Sequence, residues 1–181
     1  MSEQAEISHK LSGEWHNQLG SKMSLIADEN GGLRGKYNSA VGEAEDFYIL
    51  TGRFDASPPP GEGVSVGWVV TFRNSKLNAN STSTWSGQYF HHGVERIITQ
   101  WLLTSSTAPS DVWQSTSVGH DTFVRDKPSA AQIANARALT IGSPHPEQIL
   151  TAVRNFRRFL ALLVTFCLLD LQQASMMFKN K

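Results

Sequence analysis

Between Leu11 and Phe123 apolar and polar residues alternate in short runs, separated by clusters of glycine, proline, asparagine and serine at the spacing of an all-β barrel or sandwich. The pattern predicts eight strands, over residues 13–19, 22–27, 33–39, 47–54, 64–73, 81–90, 96–105 and 112–123. Gly20 and Ser21 separate the first two, and the turn signal from Asp28 to Gly32 precedes the third. Pro58, Pro59 and Pro60 cannot donate to a ladder and mark the loop before the fifth. Connections this short favour antiparallel neighbours, and closing the sheet on itself removes its exposed edges. The expected fold is therefore all-β, an eight-stranded antiparallel up-and-down β-barrel. After Pro128 the alternation stops. Residues 129–139 read as a short helix with Ile133 and Leu139 as its large apolar positions, and residues 147–169 as a second helix candidate. The barrel domain is expected over residues 11–128, followed by a helical C-terminal extension over 129–181.

Successive side chains of a strand point to opposite faces, and several predicted faces mix hydroxyls, amides and aromatics. Ser81, Ser83 and Trp85 share one face, as do Asn17, Leu19 and Ser21, then Tyr37, Ser39 and Val41, and then Trp101, Leu103 and Ser105. A buried hydroxyl without a partner costs roughly 1–3 kcal/mol, so these faces belong either in water or around something polar. Trp85, Trp101 and Trp113, on three different predicted strands, favour the inside, because side chains of that size are mostly buried. A barrel of eight strands is just wide enough to be filled by its own side chains or to hold one small ligand.

The 181 residues carry no net charge, but ten basic and fourteen acidic residues lie up to Pro128, and six basic and two acidic beyond it. The larger part has no basic stripe, which excludes the electrostatic footprint of a nucleic-acid binder. Cys167 is the only cysteine, so no intramolecular disulfide forms. The first ten residues lack a basic segment followed by an apolar core, so an intracellular location is expected over a secreted one. The apolar run over residues 159–169 falls short of the roughly 20 residues that span a bilayer. His91 and His92 have no third ligand at metal spacing and read as a solvated turn, so no metal is expected.

Six ordered segments carry a resemblance: Leu-Ser-Gly-Glu-Trp-His-Asn-Gln-Leu-Gly-Ser, Gly-Lys-Tyr-Asn-Ser-Ala-Val-Gly, Leu-Thr-Gly-Arg-Phe-Asp, Thr-Trp-Ser-Gly-Gln-Tyr, Thr-Gln-Trp-Leu-Leu-Thr-Ser and Val-Gly-His-Asp-Thr-Phe. Over residues 11–128 the chain resembles the avidin and streptavidin family of biotin-binding proteins, and its Pro-rich loop looks closer to the fungal members. Streptavidin itself is a standard example of a ligand-holding eight-stranded barrel. The resemblance implies that Asn17, Ser21 and Tyr37 donate to the ureido oxygen of biotin, that Asp121 and Ser39 accept from its N–H groups, and that Ser83 meets the ring sulfur. Ser81 and the loop from Val41 to Ala44 would hold the valerate chain. Phe72, Trp85, Trp101 and Leu103 would enclose the rings beside Leu19, and Tyr48 would buttress Asn17 or Asp121. Phe72 stands where bacterial members carry tryptophan, and Ser83 where threonine is common.

The resemblance also implies a homotetramer, a dimer of dimers, in which Trp113 covers the ligand of a neighbouring subunit. Ser117 stands where a larger apolar residue is usual near that interface. Biotin would be a ligand, with no cofactor and no catalysis. An enzyme built on His120 and Asp121 is disfavoured, because adjacent strand residues face opposite ways and no G-x-S-x-G elbow is expected. Asn80-Ser81-Thr82 is a glycosylation sequon, set against the expectation that Ser81 lines the pocket.

Overall fold

The computed structural model describes residues 3–40 and 46–139, all within the first of the chain's two units, Met1–His145. Eight antiparallel strands close into a barrel in sequence order, β1 (Gly13–Asn17), β2 (Lys22–Ala27), β3 (Gly32–Asn38), β4 (Tyr48–Phe54), β5 (Val64–Arg73), β6 (Asn78–Phe90), β7 (Arg96–Ser105) and β8 (Thr116–Val124). The alternation read from sequence is the alternation of burial. Along β5, Val64, Val66, Trp68, Val70 and Phe72 face inward while Ser65, Val69, Thr71 and Arg73 face out. The ladder from β7 to β8 holds eight residue pairs, but the seam that closes β1 on β8 holds only two, His16 with Val124 and Asn17 with Phe123.

The hairpin from β1 to β2 is shaped by one glycine. Gly20 takes a positive φ of 89°, donating its N–H to the Asn17 carbonyl at 3.0 Å, while the Asn17 N–H reaches the Ser21 carbonyl at 3.0 Å. This is the arrangement of a tight turn that ends in a left-handed residue. It sets Asn17 and Ser21 side by side.

One end of the barrel is packed with apolar side chains and covered by a helix that the strand pattern did not predict, α1 (Glu3–Leu11). Ile7 and Leu11 are buried, and the Trp15 indole N–H donates to the Leu11 carbonyl at 2.9 Å. Arg125 lies 3.6 Å from the Trp15 ring centroid and donates to the Lys10, Ser12 and Glu14 carbonyls. It also pairs with Glu95 at 2.9 Å, and Glu95 in turn accepts the Tyr89 hydroxyl at 2.5 Å.

Strand boundaries shift by one residue at β3, β4 and the end of β8 and by three at the start of β6, and two further shifts have local causes. The first strand stops at Asn17, because residues 18–21 form the turn, and the eighth begins at Thr116, because Pro109–Gln114 winds into a 3-10 turn. Proline at the start of that turn has its φ preset for it. The expected short helix is present as α2 (Ala130–Leu139), begun by reciprocal bonds between Ser129 and Gln132 at 2.8 and 3.3 Å. It lies on the barrel: a Cβ on Gly20 would fall 2.9 Å from Ile133 Cδ1, and Arg137 donates to the Ala40 carbonyl. The second helix candidate, the apolar run and Cys167 lie outside the described residues, as does the loop from Val41 to Ala44. Among the described residues no helix is long and apolar enough to cross a membrane.

Candidate ligand pocket inside the barrel

At the end of the barrel opposite α1, polar and aromatic side chains converge from seven strands. Asn17 (β1), Tyr37 (β3), Tyr48 (β4), Phe72 (β5), Ser81, Ser83 and Trp85 (β6), Trp101 and Leu103 (β7) and Asp121 (β8) are all buried, as are Leu19 and Ser21 in the first hairpin. Four of the five aromatic members, Tyr37, Tyr48, Phe72 and Trp85, pack in a continuous series of ring contacts. Tyr37 meets Phe72 edge-on at 6.3 Å and Trp85 at 5.3 Å, and Tyr48 meets Phe72 edge-on at 5.3 Å. Gly119 makes room for the Trp101 indole, since a Cβ there would come within 2.1 Å of the ring.

The polar atoms are organised so that specific valences remain. Asn17 Oδ1 accepts the Leu19 and Ser21 N–H groups at 3.1 and 2.8 Å, and its Nδ2 donates to Asp121 Oδ1 at 3.1 Å. An amide nitrogen carries two protons, so Asn17 keeps one to donate. Ser21 Oγ accepts the Ala40 N–H at 3.1 Å and keeps its own hydroxyl proton. Ser83 Oγ is fully buried and has no hydrogen-bond partner among the described residues. A buried hydroxyl in that state costs of order 1–3 kcal/mol, which a polar ligand atom would offset.

Asp121 is the electrostatic centre. Its Oδ1 accepts from Asn17 and from Gln18 Nε2 at 3.2 Å, and its Oδ2 accepts the Trp85 indole N–H at 2.9 Å. Burial pushes its pKa up to about 6, while the three donors pull the other way. Among the described residues no charged side chain contributes to that balance.

The remaining expected residues lie elsewhere. Ser39 is half-buried just beyond β3, Val41 is outside the described residues, and Trp113 stands on the 3-10 turn with 79% of its surface exposed. His120 is exposed on the opposite face from Asp121, so the two do not form a relay. A G-x-S-x-G string does occur, from Gly63 to Gly67, but Ser65 sits inside β5 facing outward and not at a strand-to-helix turn. Among the described residues no cluster of three His, Cys, Asp or Glu side chains could hold a metal.

Three participants escaped the sequence reading. Trp68 stacks on Trp85 at 5.9 Å and meets Phe123 edge-on at 5.5 Å, supporting the wall from below. Gly119 and Gln18 act through neighbours remote in sequence. Trp68 lies on the inward parity of β5 with Phe72, so alternation alone could have placed it.

The described barrel has an apolar end and a polar, aromatic end, and a barrel of eight strands is wide enough to hold one small ligand. The family model described as Avidin family matches residues 5–126. Among curated proteins of Gallus gallus, Avidin-related protein 7 is 33% identical over 125 residues, covering 65% of this chain and 78% of the relative. Avidin is 30% identical over 125 residues, covering 64% and 77%. The chain belongs to the avidin family, as a binding protein and not an enzyme.

Asp121 also makes the ligand-free protein's stability depend on pH. Its folded pKa lies above the usual carboxylate value of 3.8, so the folded state holds this proton more tightly than the unfolded chain. The group's stabilising effect is full below about pH 4 and is lost as pH rises through about 6, by an amount of order 3 kcal/mol. Thermal unfolding of the ligand-free protein between pH 4 and 7 should show that falling component, and Asp121→Asn should lack it. Identical slopes in the two proteins would contradict the assignment.

Proposed function

We propose that each chain binds one molecule of biotin in this pocket, non-covalently and without turnover. The observation that carries the reading is the Asn17–Asp121 pair at 3.1 Å, a buried amide bonded to a buried carboxylate beside further polar groups. A ureido group presents one carbonyl oxygen and two N–H groups. The spare protons of Asn17 and Ser21, with the Tyr37 hydroxyl, suit the oxygen, while Asp121 and Ser39 suit the N–H groups. Ser83 suits the ring sulfur, and Ser81 with the loop over residues 41–44 suits the valerate. Phe72, Trp85, Trp101, Leu103 and Leu19 supply apolar walls, with Tyr48 behind them. The binding domain is assigned to residues 11–128, with 129–181 as an extension. Holding one vitamin molecule per chain without processing it fits sequestration, with an antimicrobial or defensive use through biotin depletion.

The assembly is proposed to be a homotetramer, a dimer of dimers. Trp113 is 79% exposed, Val112 beside it is exposed too, and Ile98, Leu102 and Val118 are further exposed apolar side chains on the outside of β7 and β8. A tryptophan brings roughly 150–250 Å² of burial when covered. Donation of Trp113 across a two-fold axis would let paired subunits close each other's pockets.

Two measurements test these readings. Asp121→Ala should weaken biotin binding by at least tenfold in a calorimetric titration, since buried N–H groups of the ligand and of Trp85 lose a charged acceptor. Unchanged affinity would remove Asp121 from the site. Trp113→Lys should both weaken biotin binding and shift light scattering from tetramers to dimers, and a wild type that is monomeric at micromolar concentration yet binds tightly would overturn the shared lid.

A further inference from the structure

We propose that Gln18 is a positioning residue that fixes Asp121 in its ligand-accepting orientation by clamping both its backbone and its carboxylate. The proposal rests on the biotin reading for the meaning of "ligand-accepting", and on geometry for the clamp. Gln18 lies in the turn after β1, where the seam to β8 has run out of ladder after two residue pairs. Its side-chain amide continues that seam. Oε1 accepts the Thr122 N–H at 3.0 Å, and Nε2 donates to the His120 carbonyl at 3.2 Å, so the peptide groups on both sides of Asp121 are held by one carboxamide. The second Nε2 proton goes to Asp121 Oδ1 at 3.2 Å. Both amide protons and the carbonyl of Gln18 are thus committed to one three-residue stretch of β8.

No other residue type reproduces this set at the same length. Met fills similar volume but offers neither donor nor acceptor, and Glu keeps the acceptor for Thr122 but turns the donor end into a second carboxylate beside the first. Trp85 and Asn17 favour the ionised carboxyl more than Gln18 does, and what Gln18 adds is the grip on the peptide groups flanking Asp121. Facing it are Asn17 on β1 and Trp85 on β6, both neutral, while Thr99 on β7 donates to its backbone carbonyl at 3.1 Å. The histidines adjacent in the strands are His120 on β8, which is exposed, and His16 on β1, which alternates away from Asn17 and is buried there, with its pKa lowered by burial. Lys22 and Glu14 lie further along the outside and pair with each other.

The test uses the full-length protein as wild type, Gln18→Met and Gln18→Glu. Three readouts are taken: the biotin dissociation rate from pH 4.5 to 8, the titration of the Asp121 carboxyl by carbon NMR without ligand, and the urea unfolding midpoint. Gln18→Met should release biotin about tenfold faster at pH 7 and raise the Asp121 titration by about one unit, the shift equivalent to that factor. Gln18→Glu should raise it further, because two carboxylates then compete for one proton. If Gln18 merely stitches the seam, both variants will lower the urea midpoint while leaving the Asp121 titration and the pH profile of release where they were, and the proposal falls. The NMR readout needs no ligand, so a wild type that ignores biotin would remove the functional reading, while a raised Asp121 titration in Gln18→Met would still establish the clamp.

Discussion

Asp121 lies inside the barrel with 1% of its surface exposed, where an ionised carboxylate costs several kcal/mol unless its oxygens are well bonded. The structure meets that cost with donors from three places. Asn17 ends β1, Gln18 opens the first turn, and Trp85 stands in the middle of β6. Each donor is positioned by a different part of the fold. The turn requires the left-handed Gly20, the β1–β8 seam requires barrel closure, and Trp85 is held by stacking on Trp68.

The two ends of the barrel divide the work. At the α1 end, Trp15, Tyr89 and Phe123 are fully buried, and Arg125 ties the helix to the start of β1 through carbonyl bonds and a cation–π contact with Trp15. An apolar, interdigitated end supplies burial, which scales with the area removed from water. The opposite end is free to carry polar atoms that packing alone would not favour. Ser83 illustrates the difference, because a hydroxyl left unbonded in a dry interior is a liability in a packed core and a recognition group in a pocket.

Much of this was legible along the chain. Period-two alternation located every strand, and parity grouped Asn17, Ser83, Trp85 and Trp101 on faces that the tryptophans favoured for the inside, because burial in a barrel follows that period directly, while Asp121 was picked out only by the family resemblance. The avidin-type segments then gave those residues roles. What could not be read were features decided by distant partners. α1 has only Ile7 and Leu11 as buried apolar positions, too few for a helical stripe, and it is held by the barrel end it covers. Val112 and Trp113 look like the start of a strand, but Pro109 begins a 3-10 turn there. Gln18 fell inside the first predicted strand with nothing to mark its role, since all three of its partners lie more than 100 positions away.

The central claim is that the polar end of this barrel holds one biotin per chain. Native mass spectrometry of the full-length protein after incubation with excess biotin and removal of the free ligand tests it most directly. The account predicts a folded assembly whose mass has risen by one biotin for every chain it contains. A folded assembly that emerges at its ligand-free mass would contradict it.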